Sequence, residues 1–294
     1  MSLRALYEVA APAKLNLFLH VIGRRADGYH LLQSAFVLID WCDTLHFERR
    51  DDGRLARHDL GPALPPDDLC LRAARLLQAE SGTGLGVDIS IDKQLPWGAG
   101  MGGGSSDAAS TLLALNRLWG LGWPRERLLA LALQLGADVP FFVGGHNAFV
   151  EGIGERLTPL ALPPAWFAVV KPAAAIETRV IFGSPLLGRD TEAVIVAGFL
   201  ADMAGSTRRL LEGYGRNDLQ PPAEAECADV AEAVVRLQRC FGNARMTGSG
   251  SAVFARAGTG AEPIAVMPAD LPPGWVGRQC RSLEQHPLAG WATG

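Results

Sequence analysis

The stretch Val87-Asp88-Ile89-Ser90-Ile91-Asp92-Lys93-Gln94-Leu95-Pro96-Trp97-Gly98-Ala99-Gly100-Met101-Gly102-Gly103-Gly104-Ser105-Ser106 passes from strict alternation into a run holding five glycines in the seven residues from Gly98 to Gly104. Alternation at period two predicts a strand over Val87–Asp92. Beyond the glycines, Asp107–Trp119 sets Ala108, Leu112, Leu115 and Trp119 on one helical face. The local order is strand, glycine-rich loop, helix. Backbone N–H groups with no Cβ between them can close around phosphate oxygens, and the helix N-terminus adds its positive end. Anion binding is the function this order predicts. The loop lacks G-x-x-x-x-G-K-[ST] and does not match G-x-G-x-x-G followed by an acid, so it is neither a Walker A loop nor a dinucleotide fingerprint. The alternative is a flexible surface linker. A position between a strand and a helix capped by Ser105-Ser106-Asp107 speaks against it.

Upstream, Leu6–Ile22 and Leu31–Phe47 are rich in Val, Ile, Leu and Phe and read as strands around the turn Ala26-Asp27-Gly28. Asp67–Glu80 reads as an amphipathic helix stopped by Ser81-Gly82. Downstream, Pro124–Leu135 reads as a helix with proline in its first turn and Gly136 at its end. The proline-bearing stretch Pro159–Pro164 is the candidate boundary between two domains, and the strand Trp166–Val170 follows it. The second half alternates: helices over Glu192–Ala204, Ala223–Phe241 and near Ala261–Met267, strands over Arg245–Thr247, Ala252–Ala255 and Val276–Arg281. No repeat or low-complexity run interrupts it.

The 294 residues carry a formal charge of −4, which implies no strongly basic face and weighs against a nucleic-acid binder. Apolar runs such as Leu128–Leu135 are far shorter than the roughly 18 residues of a membrane span. Glu8 and Lys14 interrupt the N-terminal apolar segment, leaving no secretory signal pattern, so a cytoplasmic address is expected. The five cysteines show no C-x-x-C spacing and predict neither a zinc ribbon nor a disulfide framework. Only Lys14, Lys93 and Lys171 are lysine among 27 basic residues. In so arginine-rich a chain, a retained lysine points weakly to a need for a compact ammonium.

Four other segments could carry chemistry. In Pro12-Ala13-Lys14-Leu15-Asn16-Leu17, alternation puts Lys14 and Asn16 on one face, either cleft-facing or at a strand edge with Lys14 reaching to water. In Gly136-Ala137-Asp138-Val139-Pro140, Asp138 is either a working carboxylate or a plain helix cap. Asp27-Gly28-Tyr29-His30 reads by itself as a turn with an exposed aromatic, and Met246–Ser251 as a tight hairpin.

Together with Arg25–His30, Leu95–Ala109, Leu135–Phe142, Asn217-Asp218-Leu219 and Thr247–Gly250, these segments resemble the GHMP superfamily of small-molecule kinases, named for galactokinase, homoserine kinase, mevalonate kinase and phosphomevalonate kinase. They span nearly the whole chain in the family's order. The resemblance implies an α+β, two-domain GHMP kinase fold with a central cleft, an ATP-binding domain over 1–162 and a second domain over 163–294. It implies phosphorylation by ATP, accompanied by Mg²⁺, of the 2-hydroxyl of 4-diphosphocytidyl-2-C-methyl-D-erythritol, in the non-mevalonate route to isoprenoid precursors. Another kinase or decarboxylase of the superfamily, or a non-catalytic ligand-sensing relative, is the alternative. Intact Lys14 and Asp138 argue against the sensor, and Tyr29-His30 against mevalonate substrates.

In the resemblance, Lys14 and Asp138 form the catalytic pair. Lys93, Pro96, Gly98, Gly100, Gly102, Gly103, Gly104, Ser105, Ser106 and Asp68 bind ATP. Asn16, Tyr29, His30, Thr178, Phe182 and Gly248 bind substrate, with Tyr29 and Phe182 stacking on the cytosine. The chain departs from the family pattern at Ala99 and Met101, where a Gly and a Leu are common, and at Asp68, where Asn is frequent. A methyl at Ala99 requires a negative φ. An aspartate at 68 accepts from an adenine amino group but cannot donate to a ring nitrogen.

Overall fold

A computed structural model describes residues 3–293 apart from 196–198, 200–202, 265–266 and 269. Two long strands, β1 (Ala5–Arg24) and β2 (His30–Arg50), pair antiparallel almost from end to end. The turn between them is closed by Arg25 N–H to the Tyr29 carbonyl at 2.7 Å, with Gly28 at φ +91°. Then come β3 (Leu55–Asp59), α1 (Leu69–Ser81), β4 (Gly86–Asp92), α2 (Gly103–Leu118), α3 (Arg125–Leu135), α4 (Val139–Gly144), β5 (Ala148–Gly152) and β6 (Arg156–Pro159). The remainder is β7 (Trp166–Lys171), α5 (Thr178–Gly183), α6 (Met203–Leu211), α7 (Gln220–Glu226), α8 (Ala228–Phe241), β8 (Arg245–Met246), β9 (Val253–Gly258) and β10 (Val276–Arg281).

The first sheet has the order β3-β4-β2-β5-β6, with β1 along the opposite edge of β2. Only β3 and β4 are parallel in it. The second sheet is antiparallel, in the order β10-β7-β9-β8. The alternation of β2 explains its continuous apolar run: Phe36 and Leu38 pack against α1–α4, whereas Val37 and Ile39 pack toward the second sheet. A strand buried on both faces has no polar face to alternate with. The middle core is thus made jointly by Ala13, Leu15, Leu17, Val37 and Ile39 from the first sheet and Phe167, Val169 and Phe254 from the second. A third core lies between the second sheet and helices α7 and α8.

Several expectations need correction. The helix after the glycine loop begins at Gly103 rather than Asp107, and its N-cap is Gly102, without a side-chain bond. Ala223–Phe241 is two helices, because Cys227 adopts an extended backbone (φ −140°, ψ 106°) between α7 and α8. The helix expected over Glu192–Ala204 falls partly outside the described residues, and its first four residues are not helical. The same holds near Ala261–Met267, where the described residues form bends and coil. Strands β5 and β6 and helix α5 carried no sequence signal strong enough to be expected.

Candidate active site

The glycine loop takes its shape from three left-handed residues, Gly98 (φ +60°), Gly100 (φ +70°) and Gly102 (φ +73°). Ala99 and Met101 lie between them and are not among the positive-φ residues, so the methyl at Ala99 is tolerated. Because α2 starts inside the loop, the amides of Gly103, Gly104 and Ser105 belong to its first turn, where no intrahelical acceptor exists. Ser106 N–H closes the first helical bond, to the Gly102 carbonyl at 2.9 Å. Open amides and the helix dipole make this end a seat for an anion.

The approach to the loop is held by a buried ion cluster. Lys93 Nζ lies 2.5 Å from Asp107 Oδ2 and also pairs with Asp43. Asp43 Oδ1 accepts from the amides of Gln94 and Leu95, both at 2.7 Å. Burial pushes the Asp107 carboxyl up to about 8, against the pull of Lys93 and with the help of Asp43. The ammonium of Lys93 is raised as well, its two carboxylates outweighing its own burial. Asp68 is likewise occupied: it caps α1 at the Leu71 amide (3.1 Å) and pairs with Arg57 at 2.9 Å. With Lys93, Pro96, Gly103, Gly104 and Ser105 it lines a cavity of about 470 Å³. Ser106 is fully buried beside this cavity.

A larger cavity of about 840 Å³ lies on the other side of the loop and shares Gly98, Gly100 and Gly102 as a common wall. Lys14 and Asp138 line it, 3.8 Å apart. The register of β1 and β2 shifts between Pro12 and Ala13, and there the strands change faces: Val9 and Ala11 pack against the helices, Ala13 and Leu15 between the sheets. Lys14 and Asn16 therefore emerge toward the loop. Lys14 Nζ donates to Asn16 Oδ1 (2.5 Å) and the Gly100 carbonyl (2.9 Å), and lies 4.7 Å from the centre of the Phe36 ring. Burial lowers its pKa, and Asp138 opposes that shift. Asp138 is the N-cap residue of α4 but makes no capping bond, so its carboxylate stays available to the cavity.

Asn16 Nδ2 donates to Ser34 Oγ (3.0 Å), and its Oδ1 also accepts from Thr247 Oγ1 (3.1 Å). Its polar atoms thus hold Lys14 and the loop after β8. That loop is the expected hairpin, and it meets the glycine loop backbone to backbone: a Cβ on Gly248 would lie 2.6 Å from the Gly100 carbonyl. Thr178 Oγ1 and Ser249 Oγ are 2.7 Å apart at the cavity rim. At the far end, His30 stacks on Phe182 (centroids 4.9 Å, 28° between planes), and Tyr29 is 61% exposed. His30, expected at the polar edge of a base, here lies against the ring expected to stack on it. Sequence reasoning missed Asp43 and Arg189, the latter donating to His30 Nε2 at 3.1 Å.

Among the described residues no helix is long and apolar enough to cross a membrane. The family models of the GHMP kinases N terminal domain and GHMP kinases C terminal match residues 68–146 and 198–267. The 4-diphosphocytidyl-2-C-methyl-D-erythritol kinase of Methylibium petroleiphilum is 69% identical over 294 residues, covering 99% of this chain and 100% of that one. The enzyme of the same name from Albidiferax ferrireducens is 55% identical, covering 99% and 97%. A crystal structure of 4-(cytidine 5'-diphospho)-2C-methyl-D-erythritol kinase superposes with a TM-score of 0.71 at 38% identity, covering 85% of this chain and 90% of that one. The homoserine kinase of Cytophaga hutchinsonii, 16% identical, shares the fold with a TM-score of 0.68 over 96% of this chain and 95% of its own. Two sheets, an open helix start after three left-handed glycines, and full-length identity at this level place the chain in the GHMP kinases, among the 4-diphosphocytidyl-2-C-methyl-D-erythritol kinases.

Proposed function

We propose that this chain transfers the γ-phosphoryl group of ATP to the 2-hydroxyl of 4-diphosphocytidyl-2-C-methyl-D-erythritol. The observation that carries the reading is the pair of cavities sharing one glycine wall, with Lys14 and Asp138 lining the larger one at that wall. ATP occupies the smaller cavity, its phosphates on the first-turn amides of α2, and the cytidyl substrate occupies the larger. Asp138 accepts the proton of the attacking hydroxyl as the new P–O bond forms. Lys14 spends two of its three donors on Asn16 and Gly100, leaving the third for Asp138 and the transferring group. His30 stays tied to Arg189 while the Phe182 ring, which stacks on it in the empty site, turns aside, so that the cytosine enters between Tyr29 and Phe182 with His30 on its polar edge. Asn16, Thr178 and Gly248 line the path from there to Lys14.

Mg²⁺ belongs to the same reading. The described residues contain no group of three or more His, Cys, Asp or Glu able to hold a metal, a donor set suited to an ion carried in on phosphates with its own waters. Ser106 Oγ and Asp107 Oδ1, both buried without a hydrogen-bond partner, would hold it from the protein side. When bound, the ion neutralises polyphosphate charge. The division into 1–162 and 163–294 also belongs here, supported by the end of the first sheet at β6 and the start of the second at β7. So does a cytoplasmic setting, supported by five free thiols.

A coupled ADP-release assay with the cytidyl substrate, mevalonate and homoserine tests the reading. Turnover confined to the cytidyl substrate is expected. Preference for either of the others refutes the substrate, and binding without turnover of any would make the chain a sensor.

A further inference from the structure

Arg189 ties together the two rings of the proposed cytosine site. Its Nε donates to His30 Nε2 (3.1 Å), and Nη2 donates to the carbonyls of Phe182 (3.0 Å) and Ser184 (3.1 Å). Nη1 donates to the Leu187 carbonyl at 3.0 Å. Phe182 is the ring on which His30 stacks. A guanidinium has donors only and keeps its proton at any physiological pH. The His30 nitrogen that meets it is therefore an acceptor, and the neutral ring carries its one proton on Nδ1. Burial, then the charges of Arg189 and Arg24, holds His30 below the usual imidazole range, so the ring is neutral near pH 7. Nδ1 has no hydrogen-bond partner among the described residues, and His30 lines the larger cavity.

We propose that Arg189 is a specificity-determining positioning residue, which locks His30 in the Nδ1–H tautomer so that the ring donates to N3 of cytosine and rejects the N3–H of uracil. The inference rests on the proposed function, which puts a cytosine in this cavity. Cytosine N3 is an acceptor, whereas uracil N3 carries a hydrogen. Against the locked ring, cytosine completes a bond and uracil sets two donors against each other, leaving both unsatisfied. A ring released from Arg189 is free to carry its proton on Nε2, and Nδ1 then accepts from uracil. Lysine at 189 would donate only, as arginine does, while glutamine offers a carbonyl that accepts from Nε2–H.

The experiment measures kcat/KM for the cytidyl substrate and its uridyl analogue in the wild type, R189K and R189Q, with KM for ATP as a control. The wild type is expected to prefer cytidine. R189Q is expected to lose about tenfold or more of that preference, R189K to retain most of it, and KM for ATP to stay unchanged in both. A uniform loss for both substrates in R189Q, with the preference intact, would overturn the proposal and leave Arg189 a brace for α5. Equal loss of preference in R189K and R189Q would overturn it too. If R189Q fails to fold, ¹⁵N-histidine spectra of the wild-type protein decide, with His30 assigned by comparison with H30N. A proton on Nδ1 is expected, and one on Nε2 refutes the lock. A wild type that phosphorylates neither substrate refutes the proposed function instead, and the spectra still report the tautomer.

Discussion

Gly100 stands where the glycine loop touches the loop after β8, and replacing it with alanine separates structural need from catalytic need. A Cβ there falls on the Thr247 carbonyl and comes within 3.0 and 3.1 Å of the Gly250 amide nitrogen and carbonyl oxygen. These are backbone atoms, so no rotamer relieves the clash, and one loop must retreat by about 1 Å to reach ordinary contact distance. At φ +70° the alanine also carries about 1–2 kcal/mol of left-handed strain. The retreat strains two nearby bonds, Ser251 N–H to the Gly98 carbonyl (2.9 Å) and Ala252 N–H to the Ala99 carbonyl (3.2 Å). Each is worth roughly 1 kcal/mol net, so G100A should cost about 3 kcal/mol in urea denaturation. Its kcat should fall by about two orders of magnitude, because Lys14 Nζ takes its position partly from the Gly100 carbonyl. G103A is the contrast: its Cβ meets only Leu95 at 3.4 and 3.5 Å and Lys93 Nζ at 3.6 Å, at an ordinary helical φ. Stability should be unchanged or up by about 0.5–1 kcal/mol, while KM for ATP rises as the methyl crowds the phosphate seat. Wild-type stability and turnover in G100A would refute the reasoning from close approach.

Three further outcomes are expected. D138N should keep KM for ATP within a few-fold and lower kcat by about two or more orders of magnitude in the ADP-release assay, whereas near-normal turnover would remove Asp138 from the chemistry. Y29A and F182A should each raise KM for the cytidyl substrate roughly 5- to 100-fold with KM for ATP unchanged, and loss of ATP binding instead would assign these rings to the other cavity. Burial and the nearby Arg125 hold His286 down to about 3, against an unfolded value near 6.5. The unfolded chain therefore takes up that proton first. Stability from this group is complete above pH 6.5 and is lost toward pH 3 at up to about 1.4 kcal/mol per pH unit, so H286N should show a shallower acid decline in denaturation.

Legibility followed the range of the interactions. The strand Gly86–Asp92 announced itself by alternation, and the glycine loop by composition, because both are local signals. The start of α2 is hidden because Ser105-Ser106-Asp107 looks like a cap, whereas a left-handed Gly102 ends the loop and leaves those residues inside the helix. Lys14 and Asp138 are each ambiguous alone, and only the register shift between β1 and β2 and the unused capping position at α4 bring them to one cavity. Asp43 gave no signal on an apolar strand, since its partner Lys93 is 50 residues away. Arg189 was invisible for the same reason, 159 residues from His30.

The middle core has a consequence for how the chain is made. Ala13, Leu15 and Leu17 leave the ribosome early, yet the residues that cover them include Phe167, Val169 and Phe254. The Asn16 amide waits for Thr247, 231 positions later. At about 5–20 residues per second, that interval lasts roughly 10–50 s, during which one face of the β1–β2 hairpin is apolar and bare. Nascent chains stalled just short of β9 should therefore recruit holdase chaperones at this hairpin and shed them once Phe254 has emerged.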